Sequence, residues 1–199
     1  MSTPAQVPPY DGVVLAGGRA RRMGGTDKTA LVVQGQRLLD VALDALGEAG
    51  RRVVVGGSSP LAGAERVTED PPGGGPVAAL AAGLAAVGAP VCVVLAADLP
   101  FVTAVHVRAL VAGLLDGAAC LAVDAEGRDQ PLLAAYATQA LRTALPAEPH
   151  GASMRSLLAR LQEQGEVRRT TLGGDPAPWF DCDTPDDLAR ARQGSEPGR

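Results

Sequence analysis

The sequence predicts an α/β protein with a Rossmann-like, mostly parallel sheet and helices on both of its faces. Short, wholly apolar runs such as 13–16 and 91–96 have the composition of strands that are buried on both faces. Segments with helical spacing of apolar residues separate these runs, and such alternation is typical of parallel sheets. The chain has 199 residues, of which 46% are hydrophobic and 20% charged, and these values suit one globular domain.

The first half of the chain predicts three strands and two helices. The first strand ends at glycines, and the first helix has its leucines on one face and stops at Gly50. A loop of glycines and prolines over 71–76 precedes a second helix that is made of small residues. In order, the elements are the strand 13–16, the helix 38–49, the strand 51–55, the helix 77–87 and the strand 91–96.

The second half continues the alternation. It predicts a helix over 103–115, a strand over 119–123, an apolar run over 132–136, a helix near Gln139, a helix over 153–164 and a strand over 167–172. A last helix begins after Thr184 as N-cap, with Pro185 at the first helical position, and ends near Gln193. We therefore expect one domain over 11–192, between flexible ends at 1–10 and 193–199.

Composition excludes several classes of function. A net charge of −4 argues against a protein that binds nucleic acid through phosphate contacts. The uncharged stretch 71–97 is too rich in alanine, glycine and proline for a membrane span, and the N-terminus lacks the pattern of a signal peptide. The three cysteines have no C-x-x-C spacing and fit reduced thiols. We expect a cytoplasmic protein without a nucleic-acid or membrane partner.

A loop rich in glycine and cations follows the first predicted strand. Residues 15–28 contain four glycines and four cations, a composition that favours a polyphosphate site over a solvated basic loop. The loop lacks the spacing of the common phosphate loop and of the dinucleotide fingerprint. Lys28 is the single lysine among 18 basic residues, which indicates a position where a compact point charge is needed.

Two acidic positions suggest a metal site. Asp98 follows the buried strand 91–96, and ligands of parallel sheets bind beyond the carboxyl ends of the strands. Mg²⁺ prefers one or two carboxylates together with phosphate oxygens and water, so Asp98 is predicted as a magnesium ligand rather than as a helix cap. Asp183, just before the last helix, is either a second metal ligand or part of that helix's cap.

These motifs resemble those of the molybdenum cofactor guanylyltransferases, a family of the nucleotidyltransferase superfamily. The resemblance covers 11 to about 192. It is carried by Leu15-Ala16-Gly17-Gly18, Arg22-Met23-Gly24-Gly25, Asp27-Lys28, Glu69-Asp70, Gly75-Pro76, Asp98-Leu99-Pro100, Gln130-Pro131-Leu132 before Tyr136, and Thr184-Pro185-Asp186-Asp187-Leu188. Related guanylyltransferases have the pattern N-x-N-T-P where this chain has Asp181-Cys182-Asp183-Thr184-Pro185.

The resemblance implies a nucleotidyltransferase that moves GMP from GTP to molybdenum-bearing molybdopterin and releases pyrophosphate. It implies Mg²⁺ as cofactor, and molybdoenzyme apoproteins or cofactor-delivery proteins as further partners. The implied residues are Arg22, Lys28 and Asp98 for catalysis, Leu15, Ala16, Gly17, Gly18, Lys28, Asp70, Gly75 and Asp98 for the nucleotide, and Gln130 and Pro131 for the pterin side.

Three alternatives stay open. They are a molybdopterin cytidylyltransferase, another small-molecule NTP transferase of the superfamily, and a module that binds a nucleotide without turnover.

Overall fold

The computed structural model of the chain describes residues 7–17 and 30–193. Its main sheet has seven strands in the order β5-β4-β1-β6-β8-β7-β9, and β2 and β3 form a separate hairpin. The strands are β1 (Tyr10–Leu15), β2 (Val32–Val33), β3 (Gln36–Arg37), β4 (Arg52–Val55), β5 (Glu65–Val67), β6 (Val91–Ala96), β7 (Ala119–Val123), β8 (Asp129–Ala137) and β9 (Val167–Thr171). The helices are α1 (Leu38–Ala45), α2 (Pro76–Leu84), α3 (Ala104–Leu114), α4 (Thr138–Ala144), α5 (Met154–Gln162) and α6 (Pro185–Gln193).

The predicted mostly parallel sheet is confirmed, with β8 as its exception. Strand β1 is parallel to β4 and β6, whereas β8 is antiparallel to both β6 and β7. Leu133 of β8 pairs with Leu95 near the end of β6. The first residues of β8 therefore lie at the edge of the sheet where the parallel strands end.

Helices cover both faces of the sheet, as predicted. One core lies under α1 and α3 and includes Leu39, Leu46 and Leu110; the other lies under α2, α4 and α5 and includes Leu80 and Leu141. These residues form helices because their apolar side chains recur on one face of each segment. Burial of these faces is the main source of stability of the domain.

A glycine lets α2 approach the sheet closely. A Cβ atom at Gly83 would lie 2.7 Å from Cγ1 of Val13 and 2.8 Å from Cγ2 of Val55, too close for any side chain. This close approach explains why a glycine occupies position 83.

A third, smaller core joins α6 to the β2–β3 hairpin. Val33, Cys182 and Leu188 are buried together in it. Thr184 caps α6, since its Oγ accepts a hydrogen bond from the backbone N–H of Asp187 at 3.1 Å. The C-terminal helix is thus held next to the segment that follows the glycine-rich loop.

Several boundaries differ from the sequence prediction. Strands β6 and β7 and helix α6 have the predicted bounds, whereas β1 begins three residues earlier than predicted and α1, α2, α3 and α5 are shorter. Strands β2, β3 and β5 were not predicted, because two or three residues are too few for a recognisable period. None of the helices within the described residues is long and apolar enough to cross a membrane. The predicted flexible ends fall largely outside the described residues.

Candidate active site

A cleft of about 810 Å³ opens at the carboxyl ends of β1, β4 and β6. This is where the topology of a parallel sheet places ligands. Its walls come from the loops after these strands, from the first residues of β8 and from the segment before α6. The lining residues are Leu15, Gly17, Gly56, Thr68, Glu69, Pro72, Gly73, Gly75, Pro76, Ala79, Ala96, Asp98, Leu99, Gln130, Pro131, Leu132, Leu133, Met154, Trp179, Asp181 and Asp183.

The first residues after β1 pack tightly against the loop after β4. Gly56 has a φ of +79°, which favours glycine, and a Cβ there would lie 3.2 Å from Cα of Gly17. The guanidinium group of Arg66 donates hydrogen bonds to the carbonyl oxygens of Gly56, Gly57 and Ser59. The wall of the cleft beside Gly17 is therefore fixed by backbone contacts.

Glu69 organises the glycine loop before α2. Its Oε2 accepts a hydrogen bond from the backbone N–H of Gly74 at 2.8 Å. The carbonyl oxygen of Gly74 accepts another from the N–H of Gly151 at 2.8 Å. Gly75, the N-cap of α2, has a φ of +92° that other residues rarely adopt. The amino end of α2, with Pro76 in its first turn, thus faces the cleft in a fixed orientation.

Asp98 is held next to the acidic segment before α6. The N–H of Ala97 donates to the carbonyl oxygen of Leu15 at 3.1 Å, which attaches Asp98 to the end of β1. The carbonyl oxygen of Asp98 accepts a hydrogen bond from the N–H of Cys182 at 3.1 Å. Because the side chain of Cys182 is buried in the third core, its neighbours Asp181 and Asp183 both line the cleft beside Asp98.

The helices that follow Asp98 and Asp183 have capping contacts from other residues. Thr103 caps α3, and Thr184 with Asp187 caps α6. Within residues 7–17 and 30–193, no group of three or more His, Cys, Asp or Glu side chains is close enough to hold a metal ion by itself. A cation held by Asp98 and Asp183 would need further oxygen ligands, which is the usual arrangement for Mg²⁺ bound together with substrate phosphates.

A bulge in β8 forms the opposite wall. Leu121 of β7 pairs with Ala134, but the next residue, Ala122, pairs with Gln130, so residues 131–133 have no partner on β7. The hydroxyl group of Tyr136 donates a hydrogen bond to the carbonyl oxygen of Pro131 at 2.7 Å and thereby stabilises the bulge. Complete burial raises the pKa of Tyr136, so the phenol stays a hydrogen-bond donor.

The structure brings together most of the predicted site residues that it describes. Those that line the cleft are Leu15, Gly17, Gly75, Asp98, Gln130, Pro131 and Asp183. Ala16 lies between two lining residues but does not line the cleft itself. Gly18, Arg22 and Lys28 lie outside the described residues.

Asp70 is not brought to the cleft. It is exposed, whereas the preceding residue, Glu69, lines the cleft because its carboxylate turns inward to the N–H of Gly74. Asp181 is a second lining acid that the sequence prediction left without a role. The signals for both were present in the sequence, as the acidic pairs of 69–70 and 181–183, but neither pattern shows which acid points inward.

The charge of the cleft is unusual for an anion site. Four acids line it, Glu69, Asp98, Asp181 and Asp183, and no Lys or Arg of the described residues does. A polyphosphate could bind here only if cations from elsewhere offset these charges.

Comparisons with known proteins agree with this architecture. Residues 12–166 match the protein-family model of the MobA-like NTP transferase domain. The molybdenum cofactor guanylyltransferase of Xanthomonas euvesicatoria pv. vesicatoria is 34% identical over 186 residues, which cover 92% of this chain and 94% of that protein. The chain belongs to the molybdenum cofactor guanylyltransferase family. The resemblance noted from the motifs is therefore confirmed, and with it the assignment as a nucleotidyltransferase.

Solved structures support the fold of this guanylyltransferase family member. Molybdopterin-guanine dinucleotide biosynthesis protein A from Archaeoglobus fulgidus has a TM-score of 0.72 at 28% identity, over 92% of this chain and 97% of that chain. Rv0371c from Mycobacterium tuberculosis, solved in complex with manganese, has a TM-score of 0.72 at 22% identity, over 93% and 98%. Both likenesses extend over nearly the whole length of each chain.

Proposed function

We propose that this protein transfers GMP from GTP to molybdenum-bearing molybdopterin, which forms the molybdopterin guanine dinucleotide and releases pyrophosphate. Asp98 carries the proposal: it stands at the end of the central strand β6, between the Gly17 and Gly75 loops on one side and Gln130 on the other. This position is where a reaction between two phosphate-bearing substrates would take place. Relatives named molybdenum cofactor guanylyltransferase match over most of the chain and supply the substrate class.

The reaction needs no protein nucleophile. A phosphate oxygen of molybdopterin attacks the α-phosphorus of GTP, a new P–O bond forms, and the bond to the β-phosphate breaks as pyrophosphate leaves. Both reactants are anions, so catalysis consists mainly of positioning and of offsetting charge. The backbone at Gly17 and the loop at Gly75 would hold GTP, and the bulge at Gln130 and Pro131 would hold the substrate that receives GMP.

A divalent cation fits the carboxylates beside the centre of the cleft. Asp98 would hold it, with Asp183 as a second ligand, because their oxygen donors suit hard cations and the Cys182–Asp98 hydrogen bond fixes their relative position. When bound, the cation would orient the α-phosphate and offset the charge that develops on it. We propose Mg²⁺ for this role. The manganese complex of Rv0371c shows that a protein of this fold binds a divalent metal ion.

The cations of the glycine-rich loop complete the proposal. Arg22 and Lys28 would contact the phosphates, and the four acids of the described cleft explain why such charges are needed there. We place the reaction in the cytoplasm, in keeping with the three buried cysteine thiols. Cofactor-delivery proteins or molybdoenzyme apoproteins would then receive the product.

The test supplies the purified protein with molybdopterin carrying molybdenum, Mg²⁺ and one NTP at a time. We expect pyrophosphate release and a guanine dinucleotide, identified by mass, with GTP only. A cytosine dinucleotide as the main product would transfer the protein to the cytidylyltransferase activity. Nucleotide binding without any pyrophosphate release would contradict an enzymatic function.

A further inference from the structure

The side-chain amide of Gln130 is oriented before any substrate binds. Its Nε2 donates a hydrogen bond to Oδ2 of Asp124 at 3.3 Å. An ionised carboxylate can only accept, so the nitrogen of the amide must face Asp124 and the oxygen is the end left for a ligand. Gln130 lines the cleft, whereas Asp124 does not, which makes Oε1 the polar atom that Gln130 offers to a substrate.

Asp124 is itself held rigidly. Its Oδ1 accepts hydrogen bonds from the backbone N–H groups of Glu126 at 3.0 Å and Arg128 at 2.8 Å. The backbone N–H of Asp124 also donates to the carbonyl oxygen of Arg128 at 3.0 Å, which closes the turn between β7 and β8. The Asp124 side chain is only 11% exposed. The carboxylate is therefore held in place, with Oδ1 on the turn and Oδ2 near both the Gln130 amide and, at 3.8 Å, the Arg128 guanidinium.

The backbone on either side of Gln130 is fixed as well. The carboxylate of Asp129 forms two hydrogen bonds with the guanidinium group of Arg169 on β9, at 2.7 and 2.9 Å. On the other side, Tyr136 holds the carbonyl oxygen of Pro131 at 2.7 Å. These contacts fix where the Gln130 side chain starts, and the hydrogen bond to Asp124 sets which end of its amide faces the cleft.

We infer that Asp124 is a positioning residue that makes Gln130 present a hydrogen-bond acceptor to the cleft. The cleft thereby selects, as the substrate that receives GMP, a molecule whose ring carries N–H or amino groups. A pterin ring has such donors. In the order β4-β1-β6-β8, Gln130 lies across Asp98 from the Gly17 and Gly75 loops, on the side left for the acceptor substrate. The assignment of that substrate rests on the proposed function.

The first variant is Asp124→Asn. Its amide oxygen can still accept from the N–H groups of Glu126 and Arg128, so the turn is kept, but its NH₂ group now faces Gln130. Gln130 must then turn its oxygen toward position 124 and present its own NH₂ group to the cleft. We expect the KM for molybdopterin to rise at least about tenfold, while the KM for GTP and kcat at saturation stay within about twofold. Glu126→Gln is the matched control, because it removes an acid from the same turn without touching Gln130.

The second variant tests the polarity directly. In Asp124→Asn/Gln130→Glu, one carboxylate oxygen accepts from the amide at position 124 and the other again presents an acceptor to the cleft. We expect its KM for molybdopterin to return to within about threefold of the wild-type value. Gln130→Glu alone sets two carboxylates side by side and should raise that KM.

An unchanged molybdopterin KM in Asp124→Asn, or a double variant no better than that single variant, would overturn the inference. The wild type, Asp124→Asn, Gln130→Glu and the double variant are also compared for binding of free pterin by fluorescence, a readout that does not require turnover. If the wild type forms no guanine dinucleotide, the proposed function fails, but the same order of pterin affinities among the four proteins would still support the role of Asp124.

Discussion

Asp11 allows a stability prediction that is independent of catalysis. It lies near the start of β1, is 4% exposed, and accepts three backbone hydrogen bonds. Oδ1 accepts from Arg51 at 2.8 Å, and Oδ2 accepts from Gly88 at 2.7 Å and Ala89 at 2.9 Å. The carboxylate thus joins β1 to the turns before β4 and β6, at the end of the sheet opposite the cleft.

Asp11→Asn should lower the free energy of unfolding by about 2–4 kcal/mol. The substituted amide has one oxygen, which can keep the two hydrogen bonds from Gly88 and Ala89. Its NH₂ group then faces the N–H of Arg51, so one hydrogen bond to a charged group is lost, worth ~1.5–3 kcal/mol, and a buried donor is left unsatisfied. The two remaining hydrogen bonds also weaken, because their acceptor has lost its charge.

Urea denaturation followed by circular dichroism measures this change. Asp116→Asn is the matched control, because that side chain is 93% exposed and should leave the midpoint unchanged. Pyrophosphate release well below the midpoint should equal that of the wild type in both variants. A loss of less than about 1 kcal/mol in Asp11→Asn would refute the reasoning that this carboxylate holds the two turns.

Three further predictions concern the cleft and the core. Lys28→Arg should lower kcat/KM for GTP more than about tenfold although the charge is kept, because a planar guanidinium does not fit a point-charge site. Steady-state kinetics measure this loss, and a smaller one would contradict the prediction. Asp98→Asn should abolish metal-dependent pyrophosphate release and keep the fold, and wild-type rates at ordinary Mg²⁺ would remove Asp98 from the mechanism. Burial raises the pKa of Cys92 from 9.0 to about 12, so the neutral thiol is favoured in the folded state. The stability that the neutral Cys92 thiol contributes is complete below pH 9 and is lost between pH 9 and 12. Urea midpoints over that range should therefore fall more steeply with pH in the wild type than in Cys92→Ser. Equal slopes in the two proteins would contradict this prediction.

Among the strands, the sequence predicted best those whose composition is uniformly apolar. Strands β6 and β7 have the predicted bounds because every residue in them is apolar and all but the last residue of each strand are buried. A uniformly apolar composition carries no information about whether a strand runs parallel or antiparallel to its neighbours. The apolar run of β8 has the composition of a buried strand in either orientation. Its antiparallel orientation, which brings Gln130 to the cleft, is set by pairing with β6 and could not be predicted from the run itself.

Within the site, the sequence predicted which segments meet but not which atoms point inward. Glu69 rather than Asp70 lines the cleft because the N–H of Gly74 lies within hydrogen-bond distance of it. The amide of Gln130 is oriented by Asp124, six residues away and on the other side of a turn. Such choices depend on single hydrogen bonds between segments, and periodicity and composition carry no information about them.

The acidic segment before α6 departs from the N-x-N-T-P pattern that the resemblance implies, and its position in the fold shows what the departure changes. The middle residue of the Asp181-Cys182-Asp183 segment, Cys182, has its side chain in the third core and its N–H on the carbonyl oxygen of Asp98. Both flanking side chains line the cleft, so an N-x-N pattern in relatives and the D-x-D pattern here can occupy the same positions. What changes is the charge, since two carboxylates replace two neutral amides. This chain therefore needs more positive charge at the cleft than a relative with asparagines, which strengthens the case that the cations of the glycine-rich loop and a divalent metal ion act here together.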